Sequence, residues 1–148
     1  YNLAVAYTKA ENYIDAMKCY QKAINLKPNF ADSYYSLAVT EENLSIDLNA
    51  GLLVLDENGE LQKAETKNID ADKEGDKVIL TDAEKTYIKT LQQDAIKNYN
   101  LYLSKADKVD NTDEIQKRIT DLEAKIDSVN SPEEKNSVSN VDAPSENE

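Results

Sequence analysis

Two short stretches of this chain recur, the first unchanged and the second at four of its six positions. Leu3-Ala4-Val5 returns as Leu37-Ala38-Val39, and Asp15-Ala16-Met17-Lys18-Cys19-Tyr20 returns as Asp94-Ala95-Ile96-Lys97-Asn98-Tyr99. Around each copy the apolar residues recur three and four positions apart, the spacing of one helix face. A unit repeating in this way buries its apolar face only by stacking on its neighbour. The second stretch returns much later than the first, so the second copy carries a long insertion between its halves.

The periodic segments predict five helices. Leu3, Ala4, Tyr7 and Ala10 share one face of the first. Tyr13, Ala16, Met17, Tyr20, Ala23, Ile24 and Leu26 share one face of the second, which Pro28 closes by disfavouring helix at Lys27. A third stripe runs from Phe30 through Tyr34, Leu37, Ala38, Leu44, Leu48, Leu52 and Leu55 to Asn58-Gly59. Asn-Gly is both a helix stop and a hairpin signal, and Leu53-Val54-Leu55 before it reads also as a strand. The stripe Tyr87, Ile88, Leu91 of the fourth helix needs a partner surface, which an uninterrupted third helix would supply. The expected form is therefore two long antiparallel helices joined by a polar loop over about 58–80, with a small β-hairpin across 51–66 as the alternative.

Thr81 or Asp82 caps the fourth helix, whose face continues through Ala95, Tyr99 and Tyr102. The fifth begins at Asn111 or Thr112, where Asn111 and Glu114 have capping-box spacing. Its narrow seam of Ile115, Ile119, Leu122, Ile126 and Val129 suits a cap on the open end of a stack. Residues 130–148 hold five acids, one Lys and no aromatic, and are expected to form a disordered acidic tail.

Composition narrows the chemistry. Seventeen Lys and Arg against 29 Asp and Glu give a net charge of −12, which repels phosphate backbones and argues against nucleic acid as a partner. The lack of His and the single Cys exclude an internal disulfide framework, a Cys-rich zinc site and the usual general base. No apolar run approaches the ~20 residues of a membrane span. Cys19, beside Lys18 and Tyr20 with no second thiol, reads as structural. The pairs Glu41-Glu42 and Glu133-Glu134 read as solvated charge, with no Ser elbow or Gly-rich phosphate loop beside them, so neither enzymatic activity nor a cofactor is expected. One motif has a metal-binding form. Asp70-x-Asp72-x-Glu74-Gly75 copies the first half of an EF-hand calcium loop, but Lys77 stands where an aliphatic residue belongs and Thr81 where the bidentate Glu belongs. The segment is read as a polar linker, with Asp70, Asp72 and Glu74 as a weak calcium candidate and no firm metal ligand.

Leu3-Ala4, Tyr7, Ala16, Tyr20, Ala23 and Pro28 stand at the spacings of the tetratricopeptide repeat, with Ala for its usual Gly and Tyr for its usual Phe. The step from Leu3 to Leu37 also equals that family's period. The chain resembles the C-terminal part of a tetratricopeptide-repeat protein with an insertion in its second repeat. The resemblance implies an all-α fold of antiparallel helix-turn-helix repeats, forming a short right-handed solenoid with a C-terminal capping helix. Its parts would be a truncated repeat over 1–28, a second repeat with elongated helices over 29–107 and a cap over 110–129. Glu41 replaces the pattern's Tyr in the second repeat, and Tyr102 its small residue.

By the same resemblance the chain is a non-catalytic protein–protein interaction module. A partner peptide would lie on a concave face lined by Asn2, Val5 and Lys9 from the first repeat and by Asp32, Tyr35, Ser36, Val39 and Asn43 from the second. Asp32 and Ser36 stand where members that grip a C-terminal carboxylate carry bases, so a neutral to basic protein or peptide is expected instead. The alternative is an assembly module dimerising through its long helices, and less favoured is a calcium-responsive regulator. The chain opens at Tyr1 in helical stride, without initiator Met or signal-peptide pattern, so it is expected to be a piece of a longer protein. Its compartment is not legible, the cytoplasm being the default.

Overall fold

The computed structural model of the chain describes residues 1–65, 69–70 and 77–130. Among them are α1 (Asn2–Lys9), α2 (Tyr13–Leu26), α3 (Ala31–Asn49), β1 (Leu53–Leu55), β2 (Leu61–Lys63), β3 (Ile69–Asp70), β4 (Lys77–Val78), α4 (Asp82–Lys105) and α5 (Thr112–Asn130). The helices pack in series, α1 on α2, α2 on α3, α3 along α4, and α4 on α5. This is a mostly helical repeat fold. The expected acidic tail beyond Asn130 lies outside the described residues.

Each repeat is nested on small residues. Ala4 of α1 and Ala16 of α2 are fully buried with Tyr20 and Leu37 in one cluster. Ala38 of α3 and Ala95 of α4 are fully buried with Tyr99 in a second, completed by Ile115, Ile119 and Leu122 of α5. Ala38 is the repeat counterpart of Ala4, and Ala95 and Tyr99 are the counterparts of Ala16 and Tyr20, so the two clusters are one motif built twice. A methyl group at each crossing lets two backbones come close, and the Tyr ring fills the space beside them. The Tyr hydroxyl is treated alike too. Thr8 Oγ1 donates to the Ala4 carbonyl at 3.0 Å and lies 3.2 Å from the Tyr20 hydroxyl, so it accepts from Tyr20. Glu42, the repeat counterpart of Thr8, accepts from Tyr99.

The repeats differ at Leu3 and Leu37. Leu37 is 4% exposed because it packs in the cluster of Ala4, Ala16 and Tyr20, whereas Leu3 is 59% exposed. The first helix pair is held by its turn as well. Glu11 adopts φ 55°, Glu11 N–H bonds to the Thr8 carbonyl and Asn12 N–H reaches back to the Tyr7 carbonyl, a left-handed helix stop. Asn12 then caps α2 by accepting from Asp15 N–H.

The expected continuation of α3 through Leu52 and Leu55 is not what forms. The helix ends at Asn49 because Gly51 takes φ 68°, with Gly51 N–H on the Leu48 carbonyl and Leu52 N–H on the Asp47 carbonyl. Leu52, which the long helix would bury, is 47% exposed. The chain instead makes the β1–β2 hairpin, with Leu53 opposite Lys63, Val54 opposite Gln62 and Leu55 opposite Leu61. Its turn uses Gly59 at φ 78°, with Gly59 N–H on the Asp56 carbonyl and Asp56 N–H on the Glu60 carbonyl. The Asp56 carboxylate accepts from the Asn58 and Glu60 amides at 2.9 Å each, and these bonds hold it below the usual Asp range. Thus the span expected as a 58–80 loop contains β2 and the short β3–β4 ladder.

The surface that Ile88 and Leu91 need comes partly from α3, through Leu44 and Leu48, and partly from the hairpin, through Leu53 and Leu61. Thr81 caps α4 in a complete capping box, its hydroxyl accepting from Glu84 N–H while Glu84 accepts from Thr81 N–H. Glu84 also accepts from Leu55 N–H at 3.3 Å, tying the start of α4 to β1.

Candidate functional site

The residues expected on the binding face come from α1 and α3. Asn2, Lys9 and Asp32 are exposed, while Val5, Tyr35, Ser36, Val39 and Asn43 are half-buried. The two helices are joined across this region by the Tyr1 hydroxyl, 3.4 Å from Ser36 Oγ. Tyr1 is steadied by Phe30, ring centroids 4.8 Å apart and edge-on, and by Tyr20 at 5.7 Å. Val5 spends its buried side on the cluster of Ala4, Ala16 and Tyr20.

Tyr35 and Val39 are partly committed to packing against the second cluster. The Tyr35 ring meets Tyr99 edge-on at 5.9 Å and Tyr102 at 5.2 Å. Tyr102 stands where the repeat pattern has a small residue, and its extra volume is taken up against Tyr35 at the α3–α4 interface. None of the eight residues lines the groove of about 590 Å³ between α2 and β2.

The charge reading of Glu41-Glu42 is corrected by the structure. Glu41 is 3% exposed and accepts from Asn98 Nδ2 at 2.9 Å across the α3–α4 interface. Burial pushes its carboxyl up to about 8, against the Asn98 hydrogen bond and with help from Asp94. Glu42 turns toward α5, where Arg118 Nη1 donates to it at 3.0 Å beside the Tyr99 hydroxyl. Burial, then the bond to Glu42, raises the Tyr99 hydroxyl far above the ordinary tyrosine range. Arg118 also reaches Glu114 one turn earlier, at 3.3 Å, so Glu114 serves this pair. Sequence reading misses these partners because α4 and α5 supply them to α3 from 57 and 76 residues away. Glu133 and Glu134 lie outside the described residues.

Of the calcium candidates, Asp70 lies in β3 opposite Lys77, and Asp72 and Glu74 lie outside the described residues. No group of three or more His, Cys, Asp or Glu that could hold a metal occurs among the described residues. Cys19 is half-buried against the first cluster, and no described helix is long and apolar enough to cross a membrane.

A family model described as TPR repeat matches residues 4–44, which span α1, α2 and most of α3. The match covers both small-residue contacts of the first cluster and the start of the second. No curated protein and no solved structure matches the chain.

Proposed function

We propose that this chain, which contains a tetratricopeptide repeat at residues 4–44, is a non-catalytic protein-interaction module that holds a partner segment on the α1–α3 face. Tetratricopeptide repeats generally mediate protein–protein interaction, and the observation that carries the reading is the nest of Ala4, Ala16 and Tyr20 rebuilt as Ala38, Ala95 and Tyr99. Two such units packed in series, with the Tyr1 hydroxyl 3.4 Å from Ser36 Oγ between the starts of α1 and α3, support a preformed docking surface.

On that surface Asn2 and Asn43 offer amides that both donate to and accept from a peptide backbone. Glu41 and Glu42 are engaged inside the molecule, so the charge left on the face is mainly Lys9 and Asp32. The partner segment is accordingly close to neutral, at the less basic end of what the sequence suggests.

The test is binding of an immobilised peptide library to the full chain and to its Asn2→Ala and Asn43→Ala variants. The reading expects each variant to lose roughly fivefold to tenfold in affinity for the selected peptides, the value of one hydrogen bond. Equal binding by all three would refute the site.

A further inference from the structure

Among the described residues β2 is paired on one edge only, and the hairpin register tells which groups lie on each edge. Asp56 N–H bonds to the Glu60 carbonyl at 2.9 Å and Ala64 N–H to the Leu52 carbonyl at 3.0 Å. Bonded pairs in an antiparallel ladder recur at every second residue, so Val54 and Gln62 are the bonded pair between them. Leu53 with Lys63, and Leu55 with Leu61, are then non-bonded pairs. The main-chain N–H and C=O groups of Leu61 and Lys63 therefore point away from β1. The corresponding outward amide of β1 is taken, since Leu55 N–H donates to Glu84. Nothing comparable meets the outward groups of Leu61 and Lys63 among the described residues.

A groove of about 590 Å³ follows Gly59–Lys63, with α2 as its far wall. Ile14 and Met17 of α2, Leu61 of β2 and Tyr87 of α4 give it an apolar lining. Asp15 and Glu60 on its rim are balanced by Lys18 and Lys63.

We propose that the open edge of β2 accepts an extended segment of another protein as a third strand. Alternating donors and acceptors along a strand edge are matched by another extended backbone, which is why such edges attract strand addition. Every second side chain of the added strand turns toward Ile14, Met17 and Tyr87, so the segment is apolar at alternate positions. The balanced rim selects a segment without net charge. A second copy of this chain is the poorer occupant, because each copy carries −12 and the two repel on approach. This site lies on α2 and β2, apart from the α1–α3 face, and stands or falls independently of it.

The experiment titrates the full chain with an end-capped octapeptide alternating valine and serine, and follows backbone amide shifts and exchange. The expected result is a shift and new protection at the Leu61 and Lys63 amides. Lys63→Pro removes one outward N–H while sparing the β1–β2 ladder, a placement that proline tolerates on an edge strand. It should weaken binding roughly tenfold, the value of one main-chain hydrogen bond, whereas Lys63→Ala should stay within about twofold of the parent. Unmoved Leu61 and Lys63 amides in the parent chain would overturn the proposal, whatever the proline variant does to the hairpin. Equal binding by Lys63→Pro would overturn it as well. A doubled mass in light scattering, with those amides protected before peptide is added, would assign the edge to a second copy and overturn it too.

Discussion

The first and second helix pairs share a skeleton but fill it differently. Ala4, Ala16 and Tyr20 correspond to Ala38, Ala95 and Tyr99, all buried. One step away, Tyr7 and Cys19 of the first pair are replaced by Glu41 and Asn98 at the equivalent positions of the second. The first pair packs two half-buried side chains against its cluster there, and the second buries a carboxyl with its amide partner. Close helix contact is thus set by the small residues and the tyrosine, and the neighbouring positions are free to change chemistry if their polar atoms are satisfied. The second pair is also longer, because the hairpin and the early turns of α4 build a further core of Leu44, Leu48, Leu53, Leu61, Ile88 and Leu91.

The tyrosines are where either helix pair is most vulnerable. Tyr99→Ala and Tyr20→Ala should each cost about 3–5 kcal/mol in denaturant unfolding, since each empties the space beside an Ala–Ala contact. Removing only the hydroxyls separates the two pairs. Tyr99→Phe gives up a bond to the charged Glu42 and should cost about 1.5–3 kcal/mol, whereas Tyr20→Phe gives up a neutral bond to Thr8 and should cost about 0.5–1.5 kcal/mol.

Glu41 supplies the pH dependence. Its folded value near 8 lies above its ordinary value of 4.5, so its contribution is fully present below about pH 4.5 and drains away as the pH rises through about 8. Glu41→Gln keeps an acceptor for Asn98 without the charge. It should exceed the parent in stability by about 1–2 kcal/mol at alkaline pH and match it in acid, as read from denaturant midpoints across that range. The smallest effects lie at the two left-handed helix ends. Glu11→Gly should gain about 0.5–1 kcal/mol and Gly51→Ala should lose about 1 kcal/mol, opposite signs for the same backbone conformation.

Much of this arrangement is legible in residue spacing. The two recurring stretches locate both nests through Ala4, Ala16, Tyr20, Ala38, Ala95 and Tyr99, and Thr81 announces the start of α4. Ala10 and Leu26 of the same stripes, by contrast, stay exposed, and Ala23 is only half-buried. Leu3 misleads, because its repeat counterpart Leu37 is covered by α2 while Leu3 stays open, a difference of neighbours that identical local sequence does not carry. The leucine stripe runs on past the end of α3 and conceals it. Gly51 is the better guide, since a glycine that can go left-handed outweighs a favourable periodicity. The hairpin that follows, with its groove on α2, depends on that one stop. The internal partners of Glu41 and Glu42 stay hidden because hydrogen bonds spanning tens of residues leave no local pattern.

Native-state amide exchange on the full chain tests the twice-built nest most directly. The amides of residues 16–20 and 95–99 should both be strongly protected and open together, while those of Leu61 and Lys63 exchange fast. Strong protection at 95–99 alongside free exchange at 16–20 would contradict it, because α1 and α2 would then not share the packing of α3 and α4.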